Sequence, residues 1–308
     1  MKRNDLILLI SMPLFSVLSA CQNGPVQEIQ RIQGEGDIVE VLYSNPNVLF
    51  ESIMIANIPT VTSKGNSHGI FYFHNATDLA NPTDKRIVIQ GQQNIINRIT
   101  LDCYENTFCI YGEPNTEYIT ESFRVDLWGY EVSSAYIDNA GGYVNNYTFV
   151  NNPKLMVTNS GFAGIYSVDV DSLDVTLTNS GWLRATDAKI NNYLFIKGDT
   201  HTNATIENLV CDKADFVLKN NSWCKVSGEI NEFSADFENN SNFAGADCKA
   251  KTAKIDLRSS SEVVLDVDLK IEGTLKKQSR LVYYGEPKLF LSEISGGSSI
   301  TKAVKVDE

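Results

Sequence analysis

Residues 155–165 read Leu155-Met156-Val157-Thr158-Asn159-Ser160-Gly161-Phe162-Ala163-Gly164-Ile165, and twenty residues on the chain reads Val175-Thr176-Leu177-Thr178-Asn179-Ser180-Gly181-Trp182-Leu183-Arg184-Ala185. The polar triplet at the centre keeps returning, as Thr200-His201-Thr202, Asn220-Asn221-Ser222, Asn239-Asn240-Ser241, Ser259-Ser260-Ser261 and Lys277-Gln278-Ser279, at intervals of 18 to 21 residues. Three residues before each middle residue stand Val157, Leu177, Gly198, Leu218, Phe237, Leu257 and Leu275. Three residues after it stand Ala163, Leu183, Ala204, Cys224, Phe243, Val263 and Leu281. The positions five before and five after are also apolar or small, and the residues between are mostly polar. Alternation with period two on both sides of a turn means two strands, each with one buried face. Recurrence near 20 residues means one coil per repeat, with like positions stacked on one another. This predicts an all-β fold, a right-handed parallel β-helix with coils of about 20 residues, the hand being that of parallel crossovers in general. A leucine-rich repeat has similar length, but its Leu-x-x-Leu-x-Leu signature is missing. Stacked Asn side chains in the turns should bond from coil to coil.

Upstream, short alternating runs such as Ser52-Ile53-Met54-Ile55, Arg86-Ile87-Val88-Ile89 and Ile99-Thr100-Leu101 predict a strand-rich N-terminal part. The 308 residues include 29 Asn and 20 Gly and carry a formal charge of −12. Asn and Gly suit tight turns. The acidic balance argues against nucleic acid, whose phosphates need clustered Lys and Arg. With three histidines and no C-x-x-C there is little material for a metal site, and no cofactor motif is present.

The N-terminus reads as an address. Lys2 and Arg3 precede an apolar run from Leu6 to Leu18, too short to span a bilayer, and the run ends in Leu18-Ser19-Ala20-Cys21. This is similar to the lipobox of bacterial lipoproteins, which implies cleavage after residue 20 and a membrane anchor through acylated Cys21. Gln22 stands where an inner-membrane retention signal would carry Asp, so the outer membrane is the expected destination. The resulting plan is a signal peptide at 1–20, a tether at 21–47 with one strand around Asp37 to Leu42, a β-helix domain at 48–300 and a C-terminal tail at 301–308. Five cysteines remain after Cys21, in a compartment that permits disulfides. Cys103 and Cys109 flank a hairpin turn at Glu105-Asn106-Thr107, and either bridge across it or stay as small buried thiols.

Residues 86–99 (RIVIQGQQNIINRI), 102–110 (DCYENTFCI) and the ending 281–287 (LVYYGEP) with 295–299 (SGGSS) resemble the head GIN domain family of auto-transporter adhesin heads, also known as a domain of unknown function. The resemblance spans about residues 48–300, although the Gly-Ile-Asn tripeptide itself is absent. It implies an exported β-helix and carries over no catalytic residue.

Two residues after each turn centre stand Phe162, Trp182, Asn203, Trp223, Asn242, Glu262 and Arg280. Alternation turns this column outward. Phe162, Trp182 and Trp223, with Asn203 between, are the candidate contact surface for a glycan or a surface protein, because aromatic rings stack on sugars. The acids Asp169, Asp171, Asp174, Asp266 and Asp268 are the material for the alternative, a β-helix polysaccharide lyase or hydrolase. They also fit a solvated face, the reading preferred here. His68, His74 and His201 show no triad or zinc spacing. The expectation is a non-enzymatic envelope lipoprotein that binds glycan, protein or matrix.

Overall fold

The computed structural model describes residues 29–43, 50–61, 71–74, 85–120, 122–130, 132–145 and 152–305. Cys21 and residues 1–20, read above as a signal peptide, lie outside them. Within them the chain is a β-solenoid of about eight turns. From residue 134 to 302 the coils follow chain order and all pair in parallel. Leu155 lies beside Val175, then Ile196, Phe216, Ala235, Ile255 and Gly273. Each coil carries three ladders, one before the turn, one after it, and a middle one (for example Ile190, Cys211, Ile230, Ala250).

The predicted inward columns are the core. Val157, Leu177, Leu218, Phe237, Leu257 and Leu275 are buried, as are Ala163, Leu183, Cys224, Phe243 and Val263. Phe216, Phe233 and Phe243 meet at centroid distances of 4.9 to 5.4 Å. Cys211, Cys224 and Cys248 are buried thiols of this core, and burial pushes them up, Cys211 to about 11 and Cys248 to about 12. They act as small apolar residues, since reactivity needs the thiolate.

The turn is built from two consecutive left-handed residues, such as Asn159–Ser160 (φ 50° and 63°), Asn179–Ser180 (47° and 64°) and Asn220–Asn221 (55° and 63°). Asn tolerates this region better than most residues, and it then bonds its neighbour coil. Asn179 Nδ2 donates to Asn159 Oδ1 (3.3 Å), Asn220 Nδ2 to Asp199 Oδ1 (2.6 Å) and Asn239 Nδ2 to Asn220 Oδ1 (2.9 Å). The next residue is a buried hydroxyl in the later coils. Ser222, Ser241, Ser261 and Ser279 each donate to the carbonyl three residues back, at 2.6 to 2.9 Å. The chain reversal thereby leaves few polar groups unpaired.

The N-terminal end departs from chain order. Ile53 pairs on one side with Ala135 and on the other with Phe108. The coil made by Ser52–Ala56, Thr60–Val61 and Phe71–His74 is therefore sandwiched between a later coil (Thr107–Tyr111, Thr116–Ile119, Arg124–Trp128) and the one that starts at Ser134. Beyond the outermost coil two of the three ladders are closed by antiparallel strands. Arg86–Gln92 pairs with Arg124–Trp128 and Ile38–Tyr43 pairs with Arg86–Gln92. Thr100–Tyr104 folds back on Thr107–Tyr111, and Gln30–Gln33 adds a parallel strand to Thr116–Ile119. Antiparallel closure stops further parallel coils from adding here. The strand expected around Asp37 to Leu42 is present at Ile38–Tyr43, and with the unexpected strand Gln30–Gln33 it makes part of the stretch read as a tether a cap.

Candidate functional site

Parallel pairing sets Phe162 beside Trp182, Trp182 beside Asn203, and Asn203 beside Trp223. The column is real and it faces out. Trp182 is 47% exposed, Asn203 is exposed, and Phe162 and Trp223 are half-buried. The rings of Phe162 and Trp182 lie 5.0 Å apart but are inclined by 59°. They do not form the continuous flat strip that strand spacing suggests, because neighbouring aromatics prefer tilted packing to a face-to-face sandwich. Trp182 is the open ring of the column, next to the exposed side chain of Arg184, which lies 3.5 Å from Glu207.

The acids considered for catalysis are held by cations or amides. Asp169 accepts from Lys189 Nζ (2.6 Å) and Asn191 Nδ2 (3.0 Å), and the Lys189 bond holds it below the usual carboxylate range. Asp266 pairs with Lys305 (2.8 Å) and Asp268 with Lys249 (3.4 Å). Asp174 is the exception. Burial raises it, against the opposing charge of Lys154. A groove of about 410 Å³ at one edge of the solenoid includes Asp215, Glu232 and Glu272 among Lys213, Lys254 and Lys270. There Lys270 bonds Glu272 at 2.8 Å and holds it low, and Tyr193 donates to Asp215 at 2.7 Å. A retaining or inverting pair needs one carboxyl kept protonated, and the bond from Lys270 opposes this for Glu272. His201 takes its turn position, left-handed at φ 60° and exposed. His68 lies outside the described residues.

Cys103 and Cys109 are unbridged, and the register gives the reason. Cys103 stands opposite Phe108, and Cys109 opposite Asp102. Directly opposed residues share a face, so the two sulfurs point to opposite sides of the hairpin. Cys109 is buried and Cys103 half-buried.

A second constellation was not visible in the sequence. It lies on the outer side of the cap end, on the same face as Trp182. Pairing places Glu40, Gln90 and Arg124 in one row, Leu42, Val88, Asp126 and Tyr72 in the next, and Arg86, Trp128 and His74 in a third. Nε2 of His74 bonds Asp126 Oδ1 at 2.5 Å, while Arg124 reaches Oδ2 through Nε (2.6 Å) and Oδ1 through Nη2 (2.5 Å). Burial pushes the Asp126 carboxyl up, but the His74 and Arg124 bonds outweigh it and hold the group below its ordinary value. The His74 ring stacks on Trp128 at 3.7 Å and 7°, and the Arg86 guanidinium lies 5.1 Å from the Trp128 centroid. Arg124 lies over the ring of Tyr72 at 4.4 Å. A groove of about 350 Å³ runs along these rows. The alternation in residues 86–90 and 124–128 is the signal that could have put their polar side chains on one side.

Among the described residues no helix is long and apolar enough to cross a membrane, and no cluster of His, Cys, Asp or Glu could hold a metal. No curated protein matches the chain. Solved structures share its fold. One, a "putative adhesin" from Parabacteroides merdae ATCC 43184, is 11% identical with a TM-score of 0.58, over 89% of this chain and 100% of that one. Another "putative adhesin", from Parabacteroides distasonis ATCC 8503, is 11% identical with a TM-score of 0.52 over the same shares. The family model described as "Putative auto-transporter adhesin, head GIN domain" matches residues 187–287, the coils in which turn, hydroxyl and inward column repeat most regularly. The match covers about a third of the chain, and over those coils the chain is similar to the head GIN domain of that family.

Proposed function

We propose that this chain is a non-enzymatic, adhesin-type lipoprotein of the cell envelope, acylated at Cys21, carried on the outer membrane, and binding glycan or a surface protein through Phe162, Trp182, Asn203 and Trp223. The observation that carries the reading is Trp182, a large ring 47% exposed on a strand paired on both sides. A rigid strand presents such a ring without an ordering cost, and Asn203 beside it offers hydrogen bonds. The adhesin description of the family and the Leu-Ser-Ala-Cys lipobox support the same reading. Each stacked ring is worth roughly 1 kcal/mol, so useful adhesion comes from many anchored copies acting together.

The test is a glycan array probed with the purified chain, beside Trp182→Ala and Trp223→Ala. Both variants should bind several-fold less while the melting temperature stays within a few degrees. Unchanged binding, or a sharp fall in melting temperature, would count against the contact surface. Release of reducing or unsaturated sugar ends from a polysaccharide would instead favour the lyase or hydrolase.

A further inference from the structure

We propose that the groove at the cap end is a separate binding site for a carboxylated sugar, a uronate unit of an acidic polysaccharide. Asp126 is the one charged residue buried among the described residues, at 6% exposure, although its strand position points it out of the solenoid. Burying a carboxylate is costly unless it is fully paired. Here both oxygens are taken, by His74 and by the two nitrogens of Arg124. Asp126 therefore has little left for a ligand. It serves as a positioning residue that fixes its neighbours before anything binds.

The fixed neighbours define a ligand. Val88 and the exposed Leu42 make an apolar floor, which suits the C–H face of a sugar ring. Arg86 stands at one end, over Trp128, which is wedged against His74. Its Nε is buried with no hydrogen-bond partner among the described residues. A carboxylate meets a guanidinium through two parallel bonds, and an Arg already held by a ring loses little side-chain entropy in making them. The opposite end is different. Arg124 is already engaged by Asp126, and Glu40 stands in its row. Glu40 can accept hydrogen bonds from hydroxyls and repels a second anion, so the site fits a hydroxylated unit with one carboxylate rather than a polyphosphate. On a chain with net charge −12 this local arrangement, not the overall field, must attract the acid.

The site does not depend on the Trp182 column, and one experiment separates the two. The full-length chain is titrated calorimetrically with a galacturonic acid trisaccharide and with its carboxyl-reduced, neutral counterpart. The acidic trisaccharide should bind and the neutral one should bind at least tenfold more weakly, as expected for a charge-assisted pair. Arg86→Ala should lose at least tenfold for the acid, and Arg86→Lys, which keeps the charge and the stem, most of that loss. Lys219→Ala, which lies in neither the cap groove nor the Trp182 column, should bind the acid unchanged. Equal affinity for both trisaccharides, no binding of the acid, competition by inorganic phosphate at similar concentration, or an unaffected Arg86→Lys would each overturn the assignment. Circular dichroism of each variant shows whether the solenoid is intact.

Discussion

Phe243→Ala is the severest test of the solenoid core. Phe243 is 1% exposed, and its ring lies 5.0 Å from Phe216, 4.9 Å from Phe233 and 6.3 Å from Phe237. The ring also fills the space over Gly245, where an added Cβ would come within 2.4 Å of Phe243 Cε1. Removing a buried Phe side chain costs about 3–5 kcal/mol, and the amount depends on how far the site can collapse. Here the backbone is held by ladders to Cys224 on one side and Val263 on the other, so collapse is restricted. We expect the upper part of the range, about 4–5 kcal/mol, a large share of a typical folding free energy of about 5–15 kcal/mol. Each coil touches only its neighbours, so the loss falls on the coils on both sides. The control is Lys219→Ala, whose ion pair with Glu238 spans 3.8 Å with side chains 40% and 35% exposed. Such a pair is worth about 0.5 kcal/mol. Urea unfolding followed by circular dichroism reads both, at unchanged denaturant slope. If Phe243→Ala cost under about 1 kcal/mol, or no more than Lys219→Ala, the inward and outward assignment of the coil would be wrong.

Gly273→Ala should destabilise by at least about 1–3 kcal/mol, because φ is +137° and a Cβ would come within 1.9 Å of the Ile255 carbonyl. A thermal melt indistinguishable from the parent would refute this. Asp126 has a folded-state pKa below its unfolded value, so its contribution to stability is present above about pH 4 and is lost as pH falls through the folded pKa. The gap in stability between the parent and Asp126→Asn should therefore be full near pH 6 and shrink below pH 4, and urea midpoints showing a constant gap would exclude it. Cys21→Ser should abolish incorporation of a clickable fatty acid, and persistent labelling would end the lipoprotein reading.

The repeating half of the molecule was legible because each coil solves the same local problem. Alternation decides which side chains of a strand are buried, and a 20-residue recurrence with parallel register puts Leu177 over Val157 and Phe243 over Cys224 without long-range information. The turn was legible for a similar reason. Two successive left-handed residues favour Asn, and stacking brings each Asn to the next. Tertiary structure decided the rest. The strands Ser52–Ala56 and Phe71–His74 sit between Thr107–Tyr111 and Arg124–Trp128 on one side and Ser134–Asp138 and Gly141–Asn145 on the other, through pairings such as Ser52 with Ser134, 82 residues apart, and no repeat marks them. The hairpin at Glu105-Asn106 was expected, but its register, which sets Cys103 and Cys109 on opposite faces, depends on a single-residue choice that flanking positions do not reveal. Alternation points Asp126 outward, and outward ordinarily means solvated. It is buried because His74 and Arg124, 52 and two residues away, close over it, a consequence of strand order in the cap rather than of any pattern along the chain.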